Sequence, residues 1–434
     1  MAIIPQKKLF VWDEIERLED LDRLRLVIEY MPDETLMQVL EKVRGKGRDD
    51  FPVRAMWNTI LAGVVYQHPS IASLRRELAR NGQLRQMCGF EKGKIPAEYV
   101  FSRFCRKLFL YQALIDQMFY NLVETLRLLL PDFGKHIAID SKAINSLAKH
   151  ANKKEEADGR RDSDADYGRK EYKGVREDGT VWEKIVTWFG YKLHLIVDAM
   201  YELPIAFEVS KASASDVVEG RKLVKKLAKE QPKIIAACED LMGDRGYDDT
   251  KFIMELWDEY RIKPVIDIRN MWKDGEETKV LEGWDNITYN YKGNVYCHCM
   301  ESGTIREMSV GGFEKDRKTL KKICPVVSYG IECKSFGKCP VNHSIRIDLE
   351  TDRRIFTPVD RASNKWERLY DKRTAVERVN SRLDVSFGFE QHYIRGKKKM
   401  ELRCGIALCV MLAMAVGRIK EKQTQYMRSL VKSA

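Results

Sequence analysis

Residues 135–144 read KHIAIDSKAI, and this stretch decides the fold class. Ile137, Ala138 and Ile139 form an apolar run followed at once by Asp140, the pattern of a central strand with a carboxylate at its mouth. Working outward, YKLHLIVDAM (191–200) and LPIAFEVS (203–210) read as two further strands joined by a short turn. SASDVVEGRKLVKKLAKE (213–230) is amphipathic at helical spacing and opens on Ser and Asp. KIIAACEDLMGDRGYDD (233–249) reads as a buried strand and a Gly-punctuated turn. A helix from Thr250 to about Tyr260 and a strand in KPVIDIR (263–269) follow. Three strands, a helix, a strand, a helix and a strand make an α/β arrangement, in which reactive groups gather at strand ends.

The flanks differ. Residues 1 to about 133 read as helical: Leu18, Leu21, Leu24, Leu26 and Ile28 have helical spacing, Pro52 starts an apolar-periodic run through Ile60 and Val64, Ser70 can cap IASLRRELAR (71–80), and Glu98 to Leu114 gives another helix. Two short helices with a tight turn, then a basic helix, suit a helix-turn-helix-like DNA reader; they equally suit a helical bundle with a charged outer face. Residues 151–180 carry dense charge of both signs and few aliphatics, which reads as a solvated loop or an extended hairpin. Residues 270–355, rich in Gly, Trp, Tyr and Cys, break the α/β rhythm as an insertion. Helical signal returns at RASNKWERLYDKRTAVERVNSRL (361–383) and from Lys399 to Lys420.

A chain of 434 residues exceeds what one core usually organises. Its 44% hydrophobic content excludes a mostly disordered chain, and 76 Lys+Arg against 65 Asp+Glu leaves a net charge of +11, which favours a polyanionic partner. The apolar stretch Cys404–Gly417 falls short of the roughly 20 residues of a membrane span, and MAIIPQKKLFVWDEIERLED has no apolar signal core. The expected setting is therefore a reducing cytoplasm with no membrane contact, where clustered cysteines suggest metal ligands before disulfides. No GxxxxGK[ST] loop, GxSxG elbow or HExxH pair is present, so ATPase, serine-hydrolase and metalloprotease readings lack their mechanical parts.

Metal-assisted phosphoryl transfer needs converging carboxylates. Asp140 and Asp244 each follow an apolar strand, and Asp244 lies in GDRGY, whose glycines permit a tight turn. Glu377 sits in the helical stretch after Tyr370; at helical spacing Tyr370, Arg373 and Glu377 share a face, with Asp384 two turns on. Asp198, Glu239 and Asp240 are rival carboxylates beside the same strands, and His194 is expected to be structural.

AIDSKAI (138–144), GDRGYDD (243–249) and YDKRTAVERVNSRL (370–383), in that order, resemble the three blocks of the DDE transposases of bacterial insertion sequences. In the group concerned the third block runs Tyr-x2-Arg-x3-Glu-x6-Lys. Tyr370, Arg373 and Glu377 match in register; Asp384 stands where the pattern has Lys, and Arg382 is the nearby substitute. PAEYVFSRF (96–104) and GFEQHYIRGKKKM (388–400) are also similar to this group, so the likeness spans most of the chain. The resemblance implies an α/β ribonuclease-H-like catalytic domain in two parts, 134–269 and 356–434, split by the β-rich Cys-containing insertion 270–355 and preceded by an all-α DNA-binding domain, 1–133. It implies Mg²⁺ or Mn²⁺ held by Asp140, Asp244 and Glu377, cleavage at terminal inverted repeats, and attack of the freed 3′-hydroxyl on target DNA. Tyr370, Arg373, Arg382, Arg103, Lys397, Lys398 and Lys399 are the expected DNA contacts of a homodimer assembled on DNA at the nucleoid. Two alternatives stand beside this: an inactive or repurposed sequence-specific DNA-binding protein, and a metal-dependent nuclease without strand transfer.

Five cysteines and two histidines fall between Cys297 and His343. Cys324, Cys333 and Cys339 with Cys297 or Cys299 form the preferred set for a structural Zn²⁺, with His343 as substitute. The alternative is a group of unpaired small hydrophobes.

Overall fold

The computed structural model describes residues 19–44, 51–148, 162–176, 178 and 180–428; Leu18 and most of the charged stretch before 162 lie outside them. The first part is helical, as its spacing predicts: α1 (Glu19–Tyr30), α2 (Glu34–Arg44), α3 (Val53–Val65), α4 (Ile71–Arg80), α5 (Gly82–Cys88), α6 (Glu98–Leu108) and α7 (Gln112–Leu129). Ser70 caps α4 by accepting from the Ser73 amide at 3.2 Å, and Asn81 alone separates α4 from α5, accepting from Leu84 N at 3.0 Å. The helix expected over 98–114 is two helices. A 3-10 turn at Phe109–Tyr111 changes the axis between α6 and α7 while the apolar spacing runs on, so periodicity is blind to the break.

The main sheet contains β1 (His136–Asn145), β2 (Asp166–Val175), β3 (Val181–Asp198), β4 (Pro204–Lys211), β5 (Asp240–Gly243) and β6 (Lys263–Ile266). Its order is β2-β3-β1-β5-β6, with β4 also on β3. β3 is longer than its apolar segment: Val181–Gly190 pairs with β2 as an extended hairpin, and Gly190–Asp198 pairs with β1. Of the two readings of the charged stretch, the described residues adopt the hairpin. After β4 the chain runs through α8 (Asp216–Glu230) and α9 (Pro232–Ala237) into β5, then through α10 (Thr250–Asp258) into β6. The strand expected from Lys233 is thus confined to Asp240–Gly243. Pro232 starts a short helix that takes up Ile234 and Ile235, and a short apolar run does not distinguish the two states. β1, β5 and β6 are parallel, whereas β1, β3 and β4 are antiparallel.

The 270–355 region is β-rich as expected, with β7 (Thr278–Val280), β8 (Ile287–Asn290), β9 (Val295–His298) and β10 (Ile305–Glu307) in one sheet. β11 (Ser309–Glu314), β12 (Thr319–Ile323) and β13 (Ser344–Asp348) form another, with the short helix α11 (Pro325–Tyr329) between the last two. It has its own core around Ile287, Val295, Leu320, Ile345 and Phe356. A fully buried Lys322–Asp360 ion pair at 2.7 Å ties β12 to the chain that re-enters the main body.

That chain forms α12 (Asn364–Tyr370), a 3-10 turn (Asp371–Arg373), α13 (Thr374–Phe387) and α14 (Lys397–Lys420). α14 corrects the reading of Cys404–Gly417. The helix has 24 residues and is long and apolar enough to cross a membrane by length and composition, but 89% of its most apolar window is buried inside the protein. It packs on α7, α1 and β4, so one continuous core joins the helical region to the main sheet.

Candidate active site

β1 and β5 place the first two carboxylates. Ile139 is registered with Gly243, the last pair of the parallel ladder, so Asp140 and Asp244 come next side by side. Asp244 follows β5, but β1 does not end in its carboxylate as the apolar run predicts: it continues past Asp140 to Asn145, held there by β3. Asp244 caps the turn Arg245–Tyr247, its Oδ1 accepting from Gly246 N at 2.8 Å. A Cβ at Gly246 would stand 2.7 Å from that oxygen, so the close approach requires glycine. Burial, and next to it the charge of Asp244, pushes the Asp140 carboxyl up to about 6. The Ser141 amide, 2.7 Å from its Oδ1, acts the other way, as do Lys170 and Arg373.

Glu377 reaches this pair only through an arginine. It lies in the first turn of α13, half exposed, and accepts from Arg373 Nη1 at 2.8 Å. The single helix face expected for Tyr370, Arg373 and Glu377 is bent by the 3-10 turn, yet the contacts at these spacings persist. The Arg373 guanidinium lies 5.5 Å from the Tyr370 ring centroid, and Tyr370 stacks on Trp366 at 4.7 Å. Arg373 Nε is buried without a hydrogen-bond partner, and the charge of Arg373 acts on Asp140. Among the described residues, no three His, Cys, Asp or Glu side chains are arranged as they stand to hold a metal ion.

The rival acids are committed elsewhere. Asp198 accepts from the backbone amides of Gly134, Met200 and Tyr201; Asp240 bonds His136 at 2.8 Å; Glu239 pairs with Lys135 and Lys263. His194 is fully buried against the Ser210 hydroxyl at 2.8 Å, and burial lowers its pKa to about 4, as a structural histidine. Asp384 is held by Lys142 at 2.5 Å. Arg382 bonds the Glu202 carbonyl at 2.5 Å and its carboxylate at 3.2 Å, so its guanidinium is engaged within the protein. Arg103 is exposed over the Tyr99 ring, Lys397 pairs with Glu401, and Lys398 and Lys399 are exposed at the start of α14.

Sequence reasoning missed Lys170 and Lys142. Lys170 Nζ donates to the Ser141 carbonyl at 3.3 Å from β2, inside a stretch whose mixed charge masked its strand alternation. Lys142 lies two residues beyond Asp140, the i+2 position that shares a strand face, and that spacing was the available signal.

The thiols converge separately. Cys297, Cys299, Cys324, Cys333 and Cys339 line one cavity of about 20 Å³, together with Asn342 and Ser335 but not His343. Burial, then the neighbouring Cys324, Cys333 and Cys339, raises the Cys297 thiol to about 11. The Ser302 and Ser335 hydroxyls hold Cys299 down to about 5.

Residues 132–413 match the family model of the transposase DDE domain, and residues 12–107 match that of a transposase domain (DUF772). No curated protein matches the chain.

Proposed function

The chain belongs to the transposases that carry a DDE domain, and from that premise we propose that it binds the terminal inverted repeats of its insertion sequence and catalyses metal-dependent DNA cleavage and strand transfer. The observation that carries this reading is the adjacency of Asp140 and Asp244, each the residue just past the last parallel pair of β1 and β5, with Glu377 one guanidinium away.

Asp140, Asp244 and Glu377 would hold Mg²⁺ or Mn²⁺, which when bound activates the attacking oxygen and stabilises the leaving one. The donors fit such a cation. They are hard oxygens, and a cation would relieve the repulsion and burial that raise Asp140. Arg373, whose Nε is unpartnered and whose charge acts on Asp140, would take a phosphate oxygen of the scissile strand, freeing Glu377 from their ion pair. Tyr370 holds Arg373 by ring contact, and Lys170 favours the ionised form of Asp140.

In this reading 134–269 and 356–434 are the two parts of a ribonuclease-H-like catalytic domain. Residues 1–133 read the transposon ends. Arg103, Lys397, Lys398 and Lys399 make phosphate contacts, whereas Arg382, engaged by Glu202, braces α13 instead. Two ends are paired by a homodimer on DNA, at the nucleoid.

The test is incubation of inverted-repeat DNA with the purified chain and Mg²⁺. Cleavage followed by joining of the 3′-hydroxyl end to target DNA is expected, and neither in the Asp140→Ala or Glu377→Ala chain. End binding without cutting would overturn the catalytic reading in favour of a DNA-binding protein. Cutting without joining would favour a nuclease.

A further inference from the structure

We propose that Cys297, Cys324, Cys333 and Cys339 bind one structural Zn²⁺ that clamps the two small sheets of the 270–355 region together. The site lies apart from the acidic centre and supplies no reactive group.

The four thiols come from four places in the chain. Cys297 is on β9, in one small sheet; Cys324 directly follows β12, in the other; Cys333 and Cys339 lie on turns between α11 and β13. All four nevertheless line the same cavity. Its volume, about 20 Å³, corresponds to a single water-sized probe, which suits one ion and no substrate. Five sulfurs and the His298 imidazole line the cavity with no carboxylate among them, a soft donor set; His298 Nε2 is engaged by the Thr288 hydroxyl at 2.9 Å, which leaves the thiols as the donors. Such a set selects zinc over magnesium, and four protein ligands leave no open position, which is the structural type.

The surroundings support thiolates. Asn286 Nδ2 donates to Cys339 Sγ at 3.3 Å, a hydrogen bond of the kind that orients a metal-bound sulfur, and Arg306 lines the cavity. Cys299, one residue past β9, shares the cavity wall and meets Cys333, but its sulfur is also engaged by the Ser335 hydroxyl at 3.3 Å, so Cys297 is taken as the ligand and Cys299 as its neighbour. His343 is not among the residues that line the cavity; its ring meets that of Phe336 edge-on, with centroids 6.2 Å apart. The described cysteines are all free thiols, so no disulfide joins the two sheets.

The region also needs a clamp. Between Cys324 and β13 the described chain has only the five-residue α11 and turns, and the apolar core beneath is small. Since the thiols do not yet meet in coordination geometry, binding requires side-chain rotation at Cys333 and Cys339, both partly exposed on turns.

The experiment measures metal in the full chain, purified without chelator, by elemental analysis, and repeats it after exchange into Co²⁺. One zinc per chain and a cobalt spectrum with intense thiolate charge-transfer bands are expected. Cys333→Ser with Cys339→Ser should lose both, while Cys105→Ser, remote from the cavity, and Asp140→Ala keep them. Substoichiometric zinc with no cobalt–thiolate band in the unmodified chain overturns the proposal, even where the double variant fails to fold. So does full zinc in the double variant. Because Asp140→Ala removes cutting and leaves zinc in place, failure here and failure of the catalytic reading are distinguishable.

Discussion

Asp140 and Asp244 approach because each comes one residue after the last pair of the parallel β1–β5 ladder, whereas Cys297, Cys324, Cys333 and Cys339 approach because strand ends and turns of two small sheets close over a cavity. In the first region the backbone ladder sets the spacing, and the cost is the desolvation of Asp140 and its repulsion from Asp244. In the second, soft sulfur donors from separate segments share one wall with no carboxylate among them. The acidic centre also keeps its third member, Glu377, outside, held by Arg373 and half exposed. The thiol cavity has all its members in its wall. On the proposed function, a site that admits DNA has reason to stay incomplete until DNA arrives, and on the proposed zinc clamp, a site that holds two sheets together does not.

The sharpest way to break this comparison is to delete the two acids of the main sheet. Asp140→Ala or Asp244→Ala should lower cleavage of end DNA at least roughly a thousandfold, with end binding within about twofold, as measured by gel-resolved cutting and mobility shift. Residual cutting near the unmodified rate would remove the residue from the centre.

Next, Arg373→Ala separates latch from anchor. Loss of a phosphate contact should slow cutting by about a hundredfold and flatten the salt dependence of end binding by roughly one unit of log–log slope. Faster cutting would mean that the arginine only restrains Glu377.

The buried charge gives a stability test. The folded chain holds the Asp140 proton up to about pH 6, against 3.8 unperturbed, so the folded state binds more protons than the unfolded one in that window. Stability therefore falls as pH rises from about 4 to 6 and the penalty then levels off, at up to about 3 kcal/mol. Asp140→Asn should melt higher than the unmodified chain near neutral pH and lose that advantage toward pH 4. Added Mg²⁺ should narrow the gap by stabilising only the unmodified chain. A lower melting point for the Asn chain at neutral pH would show that the carboxylate is not under repulsion.

The smallest effect concerns Lys142, which neutralises the partly buried Asp384. Lys142→Ala should cost about 1–2 kcal/mol in chemical denaturation, and Lys142→Ala with Asp384→Ala should recover part of it.

Much of the catalytic half was legible in the sequence because strands buried on both faces write themselves as apolar runs, and Asp140 and Asp244 sit at the ends of two such runs. The bend at Asp371–Arg373 was not legible, since Tyr370, Arg373 and Glu377 keep helical spacing across it. Nor was the engagement of Arg382 by Glu202, a partner 180 residues away. The cysteine count marked the insertion, but the choice of Cys297 over Cys299 depends on which thiol Ser335 occupies.

By itself the amino-acid sequence determined the element types, the basic charge, the insertion and the order of the acidic blocks, because these follow from local periodicity and composition. Tertiary structure alone decided that β1 and β5 are neighbours, that Lys142 and not solvent faces Asp384, that α14 lies in the protein core, and that Glu377 rests on Arg373. Each of these is a contact between distant segments, selected by the packing of whole elements, and no window of consecutive residues contains it.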